Sequence, residues 1–146
     1  MKKKIGLGLL VLLVVIQFVR PTRNISTDLN PPTDISKAYQ VPVEVNAVLE
    51  KSCYDCHSNN THYPWYANLQ PIGWWLQGHV NEGKEELNFS EFATYPEKKA
   101  KHKFEEIEEM INEGEMPLKS YLIIHGDAKL SAAQAEAVVN WASALK

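Results

Sequence analysis

The chain has 146 residues, with 15 Lys and Arg against 18 Asp and Glu and a formal net charge of −3. That length suits one domain plus a targeting segment, and the weakly acidic balance excludes the clustered basic surface of a nucleic-acid-binding protein. About 100 residues remain for a core once the apolar N-terminus is set aside, and a bound group would help so small a domain, which buries proportionally little surface.

Residues 1–4 read MKKK and residues 5–19 read IGLGLLVLLVVIQFV, with Gln17 the only strongly polar member. A basic start followed by an apolar run is the pattern of a secretory signal or a membrane anchor. The run ends in QFVRPTRN, without the small residues of a cleavage site and without a cysteine for a lipid. An uncleaved transmembrane anchor over residues 1–20 is therefore expected; a cleaved signal and a buried core helix are the alternatives. Fifteen helical residues rise about 22 Å, short of a hydrocarbon core of about 30 Å, and the long side chain of Arg20 would close part of the gap. Lysines ahead of the run predict a cytoplasmic N-terminus. Everything after residue 20 is then exported.

Residues 21–42 contain Pro21, Pro31, Pro32 and Pro42 and show no apolar periodicity. They read as an extended linker. Residues 43–146 form the domain. A helix is expected after Pro42, with Val45, Val48 and Leu49 on one face and Cys53 and Cys56 continuing it. Pro71 opens a second, with Trp75, Leu76 and Val80 inward. A third, from Glu97, carries the stripe Ala100, Phe104, Ile107 and Ile111 and stops at Gly114. Ser131 caps a fourth, with Ala135, Val138, Val139 and Ala142 inside. No strand pattern is sustained, SYLII at 120–124 being at most a short extended piece. The fold class is all-α, about four helices with long loops.

The two cysteines of the chain, Cys53 and Cys56, are followed directly by His57. The spacing C-x-x-C-H suits covalent attachment of a c-type haem: two thiols add across the two porphyrin vinyl groups, and the next residue supplies an imidazole to the iron. Residues three apart on a helical turn share a face, so both thiols can grip one porphyrin edge. Three other readings compete. A thioredoxin-like redox pair wants a strand before the motif. A zinc site wants a fourth ligand from a second closely spaced pair. A disulfide between these cysteines would close too short a loop to stabilise much. Attachment of c-type haem takes place outside the cytoplasm, where the N-terminus sends the domain.

The segments CYDCHSNNTHYPWY, WWLQGHVNEGKEELNFSEF and EEIEEMINEGEMPL together resemble a family of small, membrane-anchored bacterial haem-binding domains, over about residues 43–145. The resemblance implies a cytochrome c-like helical domain holding one covalent haem c, with its iron, through Cys53, Cys56 and His57. The Met-Pro at 116–117 resembles the distal-ligand position of many small cytochromes c, and Pro117 favours an extended backbone at Met116. Met116 is the expected second iron ligand and His79 the alternative. His62 lies too close to His57 in sequence to cross the ring, while His102 reads as exposed and His125 as a turn residue. Among the aromatic residues, Tyr63, Trp65 and Trp75 are expected to touch the haem. The acidic run at 105–109 reads as a solvated helix face. The functional expectation is a monohaem c-type cytochrome anchored by a single pass in a bacterial inner membrane, its haem domain on the periplasmic side, carrying single electrons between redox proteins of the cell envelope, with no small-molecule substrate. The alternative is a haem peroxidase or a gas or redox sensor with an open sixth iron position.

Overall fold

The apolar spacings set out above become helices almost where they are expected. The structure, a computed structural model, describes residues 2–146: α1 (Lys2–Ile16), α2 (Ile35–Ala38), α3 (Val43–Ser52), α4 (Tyr54–His57), α5 (Ile72–Glu86), α6 (Glu97–Asn112), α7 (Lys119–Leu122) and α8 (Ala132–Ser143). Short 3-10 turns lie at Trp65–Asn68, Phe89–Thr94 and Gly126–Ala128, and no strand occurs among the described residues. SYLII at 120–124 is not extended, because α7 occupies most of it.

The core lies between α3, α6, α8 and the turn at 89–94. Val45, Leu49, Phe89, Phe92, Phe104 and Val138 are almost fully buried there. Phe104 meets the rings of Tyr39, Phe92 and Trp141 at centroid distances of 5.0, 5.1 and 5.5 Å. A ring buried so completely contributes about 1.5–3 kcal/mol. The Ala100–Phe104–Ile107 stripe of α6 faces this core as its spacing requires. At α8 the Ser131 side chain accepts from the Gln134 backbone N–H while the Gln134 side chain accepts from the Ser131 N–H, a reciprocal cap for the first turn.

Three expectations are corrected. First, α5 turns Gly73, Gln77 and Val80 inward, while Trp75 stays 54% exposed. Gly73 lets the helix approach the Ala67 carbonyl, and Gln77 accepts a hydrogen bond from Tyr63 Oη at 2.6 Å, so a polar face is buried instead of the indole.

Second, residues 21–42 are not a free tether. Asn24 is the hub. Its backbone N–H donates to Tyr63 Oη (2.7 Å), its carbonyl accepts from the Thr61 N–H, and its amide donates to the Ser58 carbonyl and accepts from Lys84 Nζ. Thr33 bonds the backbone of Ser90 and Ala93. Ile35 is 0% exposed within the core, and Gln40 accepts from the Trp141 indole. Proline content removes periodicity, but it leaves carbonyls and side chains free to pair over long range.

Third, the transmembrane expectation is not met. The helix ends at Ile16, and among the described residues no helix is long and apolar enough to cross a membrane. Backbone bonds from Gln17, Phe18 and Val19 reach only three residues back, so the last turn tightens and the chain leaves the helical path.

Candidate cofactor site

The C-x-x-C-H segment sits at a break. Cys53 ends α3 with φ −124° and ψ −42°, and α4 begins at Tyr54. The Cys53 carbonyl accepts from the backbone N–H groups of both Cys56 and His57, which brings the two cysteines and the histidine around one turn. Tyr54, between the cysteines, stacks on Phe89 at 5.3 Å and anchors the turn to the core.

His57 is oriented by the C-terminal end of α5. Its Nδ1 lies 2.8 Å from the Gly83 carbonyl oxygen and 3.1 Å from that of Leu87. A ring nitrogen facing two carbonyls carries the proton, so Nε2 is left as the basic nitrogen. Burial holds the ring's pKa below the ordinary 6.5, with backbone acceptance from Leu87 and Gly83 opposing the shift and Lys103 adding to it. The imidazole is thus neutral, single-tautomer and available to a metal, with the outer hydrogen bond that metal-binding histidines make.

Gly83 makes this contact. A β-carbon there would lie 3.0 Å from the Cys56 carbonyl oxygen and 3.1 Å from Cys56 Cβ. Neither Gly83 nor Leu87 is legible as a site residue in sequence. The signal is a glycine inside a helix, costly unless something approaches it closely.

Two cavities of about 290 and 340 Å³ open beside the segment. Ser52, Cys53, His57, Glu86, Met116 and Pro117 wall both. The larger continues between apolar side chains of Phe89, Ile107, Met110, Ile111 and Val138, and the smaller is bounded by Cys56 and His79. Volumes of this size, mostly apolar with a few convergent polar groups, are those of cofactor pockets.

The residues fit a haem in three respects. Both thiols border the cavities. His57 belongs to the same walls. Burial pushes the Cys53 thiol up to about 12, with Cys56 adding to it, and the Cys56 thiol up to about 11, with Asp55 adding to it. Such thiols stay protonated near neutral pH, the opposite of an activated redox pair. Among the described residues no group of three or more His, Cys, Asp or Glu is placed to hold a metal ion, which leaves the zinc reading without a ligand set.

Met116 and His79 are both brought to the site. Met116 follows the end of α6, where its N–H reaches the Met110 carbonyl, and lines both cavities half-buried. His79 lies on α5 with Nδ1 3.0 Å from the Trp75 carbonyl and its ring 4.4 Å from the Trp75 ring. Trp75 borders an adjoining cavity of about 90 Å³ with Cys56 and His79.

Tyr63 and Trp65 do not reach the site. Tyr63 is spent on Asn24, Gln77 and the Arg23 guanidinium, 5.0 Å over its ring, and Trp65 is 75% exposed. The docked segment 21–42 takes up Tyr63, while Trp65 stays in solvent. His62 borders only the adjoining cavity, His102 is exposed between Glu105 and Glu106, and His125 stacks on Tyr121 and bonds Tyr66 Oη.

Two further features come only from the structure. Tyr121 Oη donates to Asp55 Oδ2 at 2.8 Å, tying the segment after Met116 to the residue between the two cysteines. Lys103, 8% exposed, walls the larger cavity and pairs with Glu106 at 2.5 Å and Glu86 at 3.6 Å.

The chain matches the haem-binding domain family over residues 11–144 and belongs to it. The match takes in residues 21–42, as the docking of that segment on the domain requires. No curated protein sequence and no solved structure matches the chain.

Proposed function

We propose that this haem-binding domain is a c-type haem protein that carries single electrons in the cell envelope. Cys53 and Cys56 hold one haem through thioether bonds, His57 Nε2 ligates the iron, and Met116 is the second ligand. The observation that carries this reading is the Nδ1 contact of His57 with Gly83 and Leu87 beside two protonated thiols. It prepares a neutral imidazole next to two thiols at one cavity. Bound haem supplies an iron that changes oxidation state by one electron.

The chain's own residues do the rest. The α5 carbonyls fix the His57 tautomer, and a proximal ligand with a strong hydrogen bond is a better electron donor to iron. Phe89, Ile107 and Val138 exclude water from the cavity wall. A thioether at Met116 raises the reduction potential relative to a second imidazole. The haem is attached on the periplasmic side, the only side of the envelope where c-type attachment operates, and electrons pass to and from redox proteins there without turnover of a small molecule.

A second reading has its own support. His79 borders the same cavity as His57, and its Nδ1 bond to Trp75 leaves Nε2 free. It serves as the sixth ligand, or as an acid–base group beside an open iron position where peroxide or a diatomic gas binds.

Production in a host with haem-attachment machinery tests both. Haem should stay on the denatured chain and be lost in Cys53→Ser and Cys56→Ser. The oxidised protein should show the weak far-red band of a methionine–ferric bond, absent in Met116→Ala and retained in His79→Ala. No such band in the parent protein transfers the role to His79 or to an open site.

A further inference from the structure

Beyond the lysines of its first turn, helix α1 is apolar on every side over residues 5–16. Leu7, Leu9, Leu10, Leu12 and Leu13 are each more than half exposed, and none of its residues is buried. A helix that is apolar all round belongs in lipid or in a core, and no core element covers this one.

Its junction with the domain is nonetheless specific. The Gln17 amide donates to the Gln70 carbonyl (3.1 Å) while its oxygen accepts from the Gln70 N–H (2.9 Å). The Trp74 indole donates to the Val19 carbonyl at 2.7 Å, and Arg23 donates to Asn68 Oδ1 at 2.6 Å. These bonds seat the end of α1 on the turn at 65–68 and the first turn of α5. The same surface exposes Trp65, Leu69, Ile72 and Trp74, with Phe18, Val19 and Arg20 exposed beside them.

We infer that this face of the domain docks on a lipid bilayer, with α1 inserted and the Trp65–Trp74 surface seated in the headgroup layer of an anionic membrane. The inference rests on the envelope location proposed above. Three observations select lipid. The apolar part of α1, residues 5–16, rises about 18 Å, short of an apolar layer of about 30 Å, and an apolar shoulder fixed at its end adds apolar surface at the membrane boundary that a free tether would not. Tryptophan prefers the boundary between acyl chains and headgroups. Arg20 and Arg23 at the junction suit anionic phosphates. Docking holds the cofactor cavity at one height above the membrane instead of letting it swing.

The test uses the full haem-loaded chain with vesicles of phosphatidylethanolamine and phosphatidylglycerol, with and without brominated acyl chains. Flotation reads attachment. Tryptophan quenching by bromine reads depth, and quenching by haem is common to both vesicle sets. Trp65 and Trp74 lie on the docking face, Trp75 borders the cavity beside the cofactor site and Trp141 is in the core, so Trp65→Phe and Trp74→Phe should each remove about half of the bromine-quenchable emission. Backbone amides of residues 65–76 should exchange more slowly on vesicles than in solution. A chain that floats while its tryptophans stay unquenched and residues 65–76 unprotected refutes the docking surface and leaves attachment by α1 standing. A chain that does not float refutes both, and points to an apolar protein partner for α1.

Discussion

Substituting Gly83 by alanine tests whether close approach of α5 builds the site. In a helix interior the change alone favours folding by about 1 kcal/mol. The new methyl, however, meets the Cys56 carbonyl oxygen at 3.0 Å and Cys56 Cβ at 3.1 Å. Both are main chain or one bond from it and cannot rotate away. Overpacking of this kind costs about 1–3 kcal/mol, so Gly83→Ala should end about 0–2 kcal/mol less stable than the parent. Gly78 on the same helix would place a β-carbon with nothing within 4 Å of it and supplies the control. Gly78→Ala should gain about 1 kcal/mol. The clash also pushes the Gly83 carbonyl off His57 Nδ1, so haem content should fall in Gly83→Ala and not in Gly78→Ala. Urea unfolding and haem staining of the denatured chain read the two effects. Equal stabilisation by both substitutions, with equal haem content, would refute the role assigned to Gly83.

Ile35→Ala, inside the segment that reads as a linker, should cost about 2–5 kcal/mol as a core truncation does; an unchanged urea midpoint would mean the segment is not folded on the domain. Tyr121→Phe removes a hydrogen bond to a carboxylate and should cost about 1–2 kcal/mol, measured by the same method. The Tyr121 phenol is held above its ordinary value of 10.0 by burial, then by its bond to Asp55 and the charge there. The folded protein therefore keeps this proton at a pH where the unfolded chain loses it. Stability from this group is complete below pH 10 and falls as pH rises above it, so Tyr121→Phe should flatten the alkaline limb of a stability–pH curve; an unchanged limb would contradict this. Ser131→Ala, which breaks the reciprocal cap of α8, should cost about 0.5–2 kcal/mol in thermal unfolding, and no change would show the cap to be idle.

Local rules carried much of this chain. Spacing alone marks the α3, α6 and α8 faces, Ser131 announces its cap, and Cys53, Cys56 and His57 come together on one turn as their spacing requires. These features depend on residues within one or two turns of each other, which is the range over which sequence order and spatial order agree. The loop position of Met116 was legible for a similar reason, since a methionine before a proline just past a helix stop does not continue the helix.

Tertiary structure decided what depends on contacts far apart in the chain. Asn24 meets Tyr63, Thr61 and Lys84 across gaps of up to 60 residues, and no periodicity announces such pairings. That docking holds Tyr63 away from the cofactor cavity, with Gln77 turned inward to meet it. It also replaced a swinging tether with a fixed junction at Gln17 and Trp74. The orientation of His57 likewise depends on backbone carbonyls of Gly83 and Leu87, and a carbonyl leaves no trace in residue type. Composition and order therefore put Cys53, Cys56 and His57 on one turn, while the packing of α5 against that turn determines how the imidazole is aimed, because every residue carries the same carbonyl and only the fold decides which two face an imidazole.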